Sequence, residues 1–454
     1  MCSWPQWELS TLNLGDTRRN ERIRFMVEQM AIRPGVSVPE VFETHAEITA
    51  AYRALGSEAT DPEAIRSAQR DACLGRMAGE SVILAIQDTT SFNFTAHPAT
   101  EGIGLIGDRS KGFLAHHVLA VSESGIPLGL WHQQVWTRDP DAPSTRDTWR
   151  ERPLEQKESF RWVQALRAVH ETMPAHATVV TIGDREADIY EMFAEPRPEG
   201  SELLIRNCSD RRLAPPERRL WETVERVPVS GEFSISLRRH PERAPRDARL
   251  QVRFCSVTLD PPRFRVGGVA RAPVTVQAIA VQEVSPAKTP IRWLLLTTLP
   301  VESFDAARAC VRYYTLRWLI ERYHYILKSG CKLEESQLRS VDRLERLLAL
   351  CCVVAWRLLW LTYAARAEGD QPCTVAFTEL EWRTLYHVRH GQPPLGQPPP
   401  PLREAVRWLG GLGGHPGRKG DAEPGVKVLW RGLMRLQDIV LGVLLVTGQD
   451  VCNA

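Results

Sequence analysis

Ser81-Val-Ile-Leu-Ala-Ile-Gln-Asp88 and Thr178-Val-Val-Thr-Ile-Gly-Asp184 are two versions of one pattern. Each is a short apolar run, and each ends on an aspartate. Such a run suits a strand buried on both faces, as in a sheet covered by helices. Aspartate is a poor strand residue, so its place at the end of both runs is informative. In open α/β sheets, ligands bind beyond the carboxyl ends of strands. Asp88 and Asp184 are therefore expected to open onto one site. Taken singly, each has a plainer reading as the cap of the turn or helix that follows.

The chain around these strands changes character several times. Residues 1–70 read as helical. Asp16 can cap a helix over 18–30 that Pro34-Gly35 ends, a second helix covers 38–55, and a third starts near Asp61-Pro62-Glu63, where proline fits the first turn. Residues 115–121 and 126–136 read as neighbouring strands joined around Gly125. Helices are expected over 160–170 and 186–193. Between 200 and 300, short β-rich runs (232–237, 250–257, 274–284, 293–298) alternate with connections rich in proline and arginine. Residues 304–365 are helical again. Residues 393–401 hold six prolines in nine positions, which reads as a stiff exposed linker. Residues 426–446 can form one more amphipathic helix.

A chain of 454 residues is too long for one core. Its 43% hydrophobic and 25% charged residues are ordinary for a globular protein. The formal net charge is only +2, with a pI near 8.1, so a nucleic-acid partner is not announced by the total. The distribution says more. Arg18, Arg19, Arg22 and Arg24 form one basic cluster. Arg206, Arg211, Arg212, Arg218 and Arg219 form a second, and Arg238, Arg239, Arg243, Arg246, Arg249 and Arg253 a third. The planar fork of arginine suits phosphate. Solvated loops are the plainer reading of any one cluster. Ten cysteines with no CxxC pair indicate buried thiols in a reducing cytosol rather than a zinc site or a disulfide framework. No basic and apolar leader stands at the start, and the apolar run 347–356 is too short to span a bilayer. The expectation is a cytoplasmic protein with no membrane contact.

The third carboxylate comes from Tyr314-Thr-Leu-Arg317-Trp-Leu-Ile-Glu321-Arg-Tyr-His-Tyr-Ile-Leu-Lys328. On one continuous helix, with Tyr314 at 0°, Arg317 falls near about −60°, Glu321 near about −20° and Lys328 near about −40°. A carboxylate flanked by two cations and a phenol on one face suits an anionic, metal-bound substrate. Salt bridges on a solvated face would give the same spacing. Three hard carboxylates suit Mg²⁺ or Mn²⁺ rather than zinc. Two such ions, about 4 Å apart, can activate a water or a 3′-hydroxyl and stabilise the leaving oxygen, which is phosphodiester chemistry. Arg317 and Lys328 would grip flanking phosphates.

At these residues the sequence resembles the bacterial DDE transposases of the insertion-sequence-four family, the transposon-five type. The signature is tyrosine, two residues, arginine, three residues, glutamate, six residues, lysine, and Tyr314, Arg317, Glu321 and Lys328 meet it without departure. Gly183-Asp-Arg-Glu-Ala-Asp-Ile-Tyr190 is similar to the second-aspartate motif, and Gln87-Asp88-Thr89-Thr90 to the first. Further matches are Gly15-Asp16-Thr17-Arg18-Arg19, Asp108-Arg-Ser-Lys-Gly112, Lys157-Glu-Ser159 with Trp162, Trp293-Leu-Leu-Leu-Thr297 and Pro300-Val-Glu-Ser303.

The resemblance implies an α/β fold: an RNase H-like catalytic core interrupted by a mostly β insertion, with helical N-terminal DNA-binding and C-terminal modules. It divides the chain into an N-terminal module (1–70), the first part of the core (71–193), the insertion (194–299), the second part of the core (300–365) and a C-terminal region with dimer contacts (366–454). Asp88, Asp184 and Glu321 would be the catalytic triad holding two Mg²⁺ or Mn²⁺ ions. Water would nick each transposon end, the freed 3′-hydroxyl would form a hairpin, and strand transfer into target DNA would follow. The partners implied are double-stranded DNA, as terminal inverted repeats and target, and a second copy of the chain in a synaptic homodimer. Trp293 matches a tryptophan that stacks on a flipped base, Trp318 and Tyr314 match its neighbours, and Arg206 aligns more loosely; stacking offsets the cost of unstacking. A core aromatic is the plainer reading of Trp293. Arg18, Arg19 and Arg22 sit where the family reads the transposon end.

Tyr325 departs from the family, standing where the transposon-five type carries a second lysine. Past residue 365 the match is poor, although Gly417-Arg-Lys-Gly420 and Leu429-Trp-Arg-Gly432 resemble shorter members. His116 and His117 are adjacent on a strand and face opposite ways, so both cannot ligate one metal. His324 can hydrogen-bond the triad or sit off the site. The competing readings are a catalytically silent DNA-binding protein derived from a transposase, a metal-dependent nuclease that only hydrolyses DNA, and, more remotely, a carboxylate-pair glycosidase.

Overall fold

The computed structural model describes residues 4–42, 44–139, 152–217, 219–237, 245–262, 272–285, 289–394, 396–418 and 422–447. Its ten strands are β1 (Val82–Asn93), β2 (Gly104–Leu105), β3 (Lys111–Ser122), β4 (Pro127–Trp136), β5 (Thr178–Gly183), β6 (Ser201–Arg206), β7 (Gly231–Leu237), β8 (Arg246–Leu259), β9 (Val274–Glu283) and β10 (Arg292–Thr297). They form one sheet in the order β2-β3-β1-β5-β6-β10-β9-β8-β7, with β4 also on β3.

Five of these strands make the RNase H-like core. β3 lies antiparallel to β1, and β4 antiparallel to β3. β5 is parallel to β1, and β6 parallel to β5. The apolar runs of β1 and β5 are buried on both faces, as parallel strands between helical layers must be. One face carries the helix Phe160–Thr172, whose Trp162, Val163 and Leu166 are buried. The other carries the helical segment 304–330, which holds Glu321, and the helix Val341–Ala367. That long helix is apolar enough to cross a membrane by length and composition, but 83% of its most apolar window is buried inside the protein. It is the spine of the core, a role that an apolar helix of this length fills in many globular proteins.

The β-rich stretch after Asp184 extends the same sheet. β10 pairs antiparallel with β6 on one side and with β9 on the other, and β8 and β7 follow. Backbone hydrogen bonding therefore runs unbroken from the core into this stretch, and the geometry of β10 is tied to that of the core strands.

Several sequence expectations need correction. β1 does not stop at Asp88 but continues to Asn93, because β3 goes on pairing with it, Asp88 opposite His117 and Asn93 opposite Gly112. What stops is β5, whose last partner on β1 is Ile86, opposite Ile182. The expected helix over 38–55 is two, Val38–Val41 and His45–Gly56, parted by extended Phe42 and restarted by a capping box of Thr44 and Glu47. The expected helix over 186–193 is a single turn, Arg185–Ala187, and a short helix, Tyr190–Ala194. Between them Asp188 is pulled out of helical geometry by bonds from Asn207 Nδ2 (2.9 Å), Cys208 N (2.8 Å) and the Arg211 guanidinium (Nε, 2.9 Å).

Candidate active site

Asp88 and Asp184 reach the same place through strand register. Ile86 is level with Ile182 on parallel strands, so two residues further on Asp88 is level with Asp184. Asp184 leaves its strand in a tight turn that Gly183 permits. A Cβ on Gly183 would lie 2.4 Å from the Cβ of Ala187, so a larger side chain would push the turn away. Each carboxylate is aimed by a main-chain donor. Thr89 N donates to Asp88 Oδ1 at 2.9 Å, and Glu186 N to Asp184 Oδ1 at 2.8 Å.

Glu321 comes from the helix, with a correction to its shape. The segment 314–328 is not one regular α-helix. The helix Phe304–Leu316 tightens at Arg317, resumes as Trp318–Tyr325, and widens into a π-helical turn, Ile326–Gly330, that carries Lys328. Such wide turns are frequent at functional sites. Tyr314, Arg317 and Glu321 still face the sheet edge. The Arg317 guanidinium hydrogen-bonds Glu321 and reaches 3.9 Å from Asp88 Oδ2. Lys328 sits with its ammonium 5.8 Å from the centre of the Phe92 ring, above the far half of β1.

The electrostatics follow from this crowding. Burial, Asp184 and Glu321 push the Asp88 carboxyl up to about 7, against the pull of Arg317 and the Thr89 amide. Carboxylates packed this way need a countercharge, and Arg317 supplies part of it. Among the described residues no three His, Cys, Asp or Glu side chains are gathered closely enough to hold an ion as they stand. The donor chemistry nevertheless fits a hard divalent cation: carboxylate oxygens from Asp88, Asp184 and Glu321.

Behind Asp88 lies a buried chain of imidazoles. His324 Nδ1 is 3.8 Å from Asp88 Oδ2. His324 Nε2 is 3.0 Å from His117 Nδ1, and His117 Nε2 is 2.9 Å from Gln133 Nε2. Burial drives both imidazoles below their usual range, His117 to about 3, so both are neutral. His116 faces the other way. It contacts Trp162 edge-on at 4.7 Å between ring centres, Thr89 Oγ1 at 2.9 Å and Gln87 Oε1 at 3.2 Å.

Trp293, Tyr314 and Arg206 also come together. β10 places Leu295 opposite Arg206, so Trp293, two residues away, projects from the same face as Arg206. The Trp293 and Tyr314 rings meet edge to face with centres 5.3 Å apart. Tyr314 is buried, which raises its phenol, and the nearby Arg317 and Arg206 cations oppose that rise. Trp318 is 44% exposed, with the Arg322 guanidinium 5.6 Å from its ring centre.

The basic clusters divide. Arg18 and Arg19 are exposed on the helix Thr17–Ile32, and Arg22 lies beside the Phe25 ring. Arg24 is consumed by the Leu9 and Ser10 carbonyls. Four of the rest pair with carboxylates. Arg211 pairs with the buried Asp188, Arg212 with Asp260, Arg246 with the buried Glu283 and Arg249 with Glu232. Arg218, Arg238, Arg239 and Arg243, with Lys419 and Gly420, lie outside the described residues.

Tyr325, the departure on the helix, has its ring stacked 6.4 Å from that of Trp430, so it joins the helix to the C-terminal region. The residue that sequence reasoning passed over is Arg161. It lies inside the Lys157–Trp162 run, but nothing in a lone arginine beside a tryptophan announces its contacts.

Residues 111–357 match the family model described as the transposase DDE domain. Residues 1–60 match that described as transposase DNA-binding, and residues 353–448 the transposase Tn5 dimerisation domain. Among solved structures, a piggyBac transposase synaptic complex with hairpin DNA matches at a TM-score of 0.35 and 10% identity, over 80% of this chain and 72% of that one. That likeness is too distant to place any residue.

Proposed function

This chain belongs to the family of transposases with a DDE domain, and we propose that within it the chain is a cut-and-paste enzyme that cleaves at transposon ends, forms a hairpin and joins the freed end to target DNA. The observation that carries the reading is that Arg317 bonds Glu321 and lies 3.9 Å from Asp88, with Asp184 level with Asp88 on the next strand, and that burial and Asp184 push Asp88 up to about 7.

Asp88, Asp184 and Glu321 would hold two Mg²⁺ or Mn²⁺ ions, which supply an activated oxygen nucleophile and stabilise the leaving oxygen. The remaining work falls to the chain. The amides of Thr89 and Glu186 hold one oxygen of each aspartate in place, leaving the other to face the site. Arg317 neutralises Asp88 and Glu321 and is placed to hand part of its charge to a phosphate. Lys328 extends the cationic track along β1. The neutral His324 and His117 line the inner wall without adding a charge. Trp293, with Tyr314 against its edge and Arg206 on the same face, would receive an unstacked base, and Trp318 would flank it.

The division of labour follows the expected modules: DNA-end recognition by 1–70 through Arg18, Arg19 and Arg22, catalysis by 71–193 and 300–365, a β insertion over 194–299 and dimer contacts by 366–454. The protein would act as a homodimer pairing two ends, on DNA in the bacterial cytoplasm.

The test is cleavage of labelled DNA carrying the element's own terminal repeat, with Mg²⁺ or Mn²⁺, by wild type and Glu321→Gln. Metal-dependent nicking and a hairpin product, both abolished in the variant, are the expected result. Binding of the repeat with no cleavage under either ion would instead favour the catalytically silent DNA-binding protein.

A further inference from the structure

Arg161 makes a set of contacts that the catalytic reading leaves unused. Its guanidinium is 12% exposed and lies between the rings of Trp136 (5.9 Å) and Trp162 (5.6 Å). Nε donates to Thr89 Oγ1 at 2.8 Å, one terminal nitrogen donates to the Glu158 carbonyl at 2.9 Å, and the other to Glu186 Oε2 at 2.5 Å. Two of these partners matter together. Thr89 is the residue whose amide holds Asp88, and Glu186 is the residue whose amide holds Asp184. One rigid fork thus grips, by their side chains, both residues whose backbones aim the two aspartates.

The rest of the network leaves Arg161 little freedom. Thr89 Oγ1 accepts from Arg161, so its own proton goes to His116 Nδ1, and His116 Nε2–H is left to donate to Gln87 Oε1. The chain Gln87, His116, Thr89, Arg161 and Glu186 crosses from β1 to the turn after β5 on the face opposite His117 and His324. The strands themselves stop pairing at Ile86 and Ile182. Past that point no backbone pairing between β1 and β5 sets the distance between Asp88 and Asp184, and Arg161 links the residues that follow them, Thr89 and Glu186.

We propose that Arg161 is a positioning residue that sets the spacing of Asp88 and Asp184, and through it the affinity of the site for its divalent ions. This rests on the metal-dependent reading above. Lysine cannot replace it, because an ammonium is a point donor and lacks the fixed fork that reaches two separated acceptors.

The test is Mn²⁺ binding to the full-length protein, followed by the loss of the free-ion signal in electron paramagnetic resonance, with melting temperature and terminal-repeat binding measured on the same samples. Partners of metal ligands typically contribute about 10–100-fold in affinity. Arg161→Gln and Arg161→Lys are both expected to weaken Mn²⁺ by roughly tenfold or more while still binding the repeat. Glu186→Gln, at a 64% exposed side chain where misfolding is not at issue, is expected to weaken it by a smaller factor in the same direction. Wild-type Mn²⁺ affinity in folded Arg161→Gln, or full rescue by Arg161→Lys, overturns the inference. If Arg161→Gln does not fold, unchanged Mn²⁺ affinity in Glu186→Gln overturns it. Wild-type Mn²⁺ binding that survives Asp88→Asn would overturn the metal reading itself, which is a distinct outcome.

Discussion

Asp88 is the residue at which the protein stores its electrostatic tension. Its folded pKa, about 7, lies above the ordinary carboxylate value of 3.8, so the folded state holds the proton more tightly than the unfolded chain. The stability this proton confers is full below about pH 4 and drains away as pH rises through 7. Metal-free Asp88→Asn should therefore melt higher than wild type at pH 8, by roughly 1 °C for each kcal/mol relieved in a chain of this length, and the gap should narrow towards pH 4. Taking the difference removes the opposite contribution of buried histidines that face away from Asp88, such as His116. A gap independent of pH in scanning calorimetry would count against the assignment. Trp293 permits a second test. Base stacking is worth about 1–3 kcal/mol, so Trp293→Ala should slow hairpin formation by about 10- to 100-fold while first-strand nicking stays near wild type. Equal loss of both steps on a denaturing gel would make Trp293 a core aromatic instead.

Elements are aimed by their ends. Asp16, Asp184 and Ser303 all lie in motif runs, and each caps the element after it, accepting from the amide of Arg18, Glu186 and Ala306 respectively. The capping reading of Asp184 and its catalytic reading are thus compatible: one oxygen caps, the other is free for the site. The C-terminal helices Leu402–Leu412 and Val426–Thr447 meet through glycines. A Cβ on Gly432 would lie 2.1 Å from the Leu409 carbonyl oxygen, and one on Gly413 would lie 1.9 Å from that of Val428. Backbone cannot yield as a flexible side chain can. Gly432→Ala is expected to destabilise this helical pair by about 1–3 kcal/mol, seen as faster hydrogen exchange across 402–447. Unchanged protection there would show that the crossing is looser than the contact implies. The helix-period placement of Tyr314, Arg317, Glu321 and Lys328 was legible because a carboxylate and its cation lie four residues apart. The tightening at Arg317 and the π turn at Lys328 were not, since both arise from packing against β1 and the helix Val341–Ala367.

At the scale of the whole molecule, several arginines tie distant elements together through carboxylates. Arg76 clamps Glu8 across the N-terminal helices, Arg66 reaches Glu345 on the long helix, and Arg246 pairs with the buried Glu283. The net charge of +2 does not single out a DNA-facing surface, whereas Arg18 and Arg19 are exposed on the helix Thr17–Ile32. Removing both to alanine should weaken binding to the terminal repeat at every salt concentration and flatten its dependence on log salt by roughly two contacts' worth, about 0.9 per phosphate. An unchanged slope in fluorescence anisotropy would take these residues out of the interface.

The fold class and the family could be read from the chain alone. Apolar runs ending on aspartate are a local pattern, as is the spacing of Tyr314, Arg317, Glu321 and Lys328, and hydrophobic period and residue type need no distant partner to be recognised. Other features belong to the tertiary structure. β1 runs on past Asp88 because β3, not β5, pairs with its second half. Arg211, Arg212 and Arg246 of the second and third arginine clusters are committed to carboxylates, Asp188, Asp260 and Glu283, that were brought to them from elsewhere in the chain. His117 met His324, and Arg161 met Thr89 and Glu186, across separations of 207, 72 and 25 positions. Contacts of that kind depend on register and on which faces of the sheet are covered, and a one-residue slip in pairing would turn every side chain of a strand to the other face.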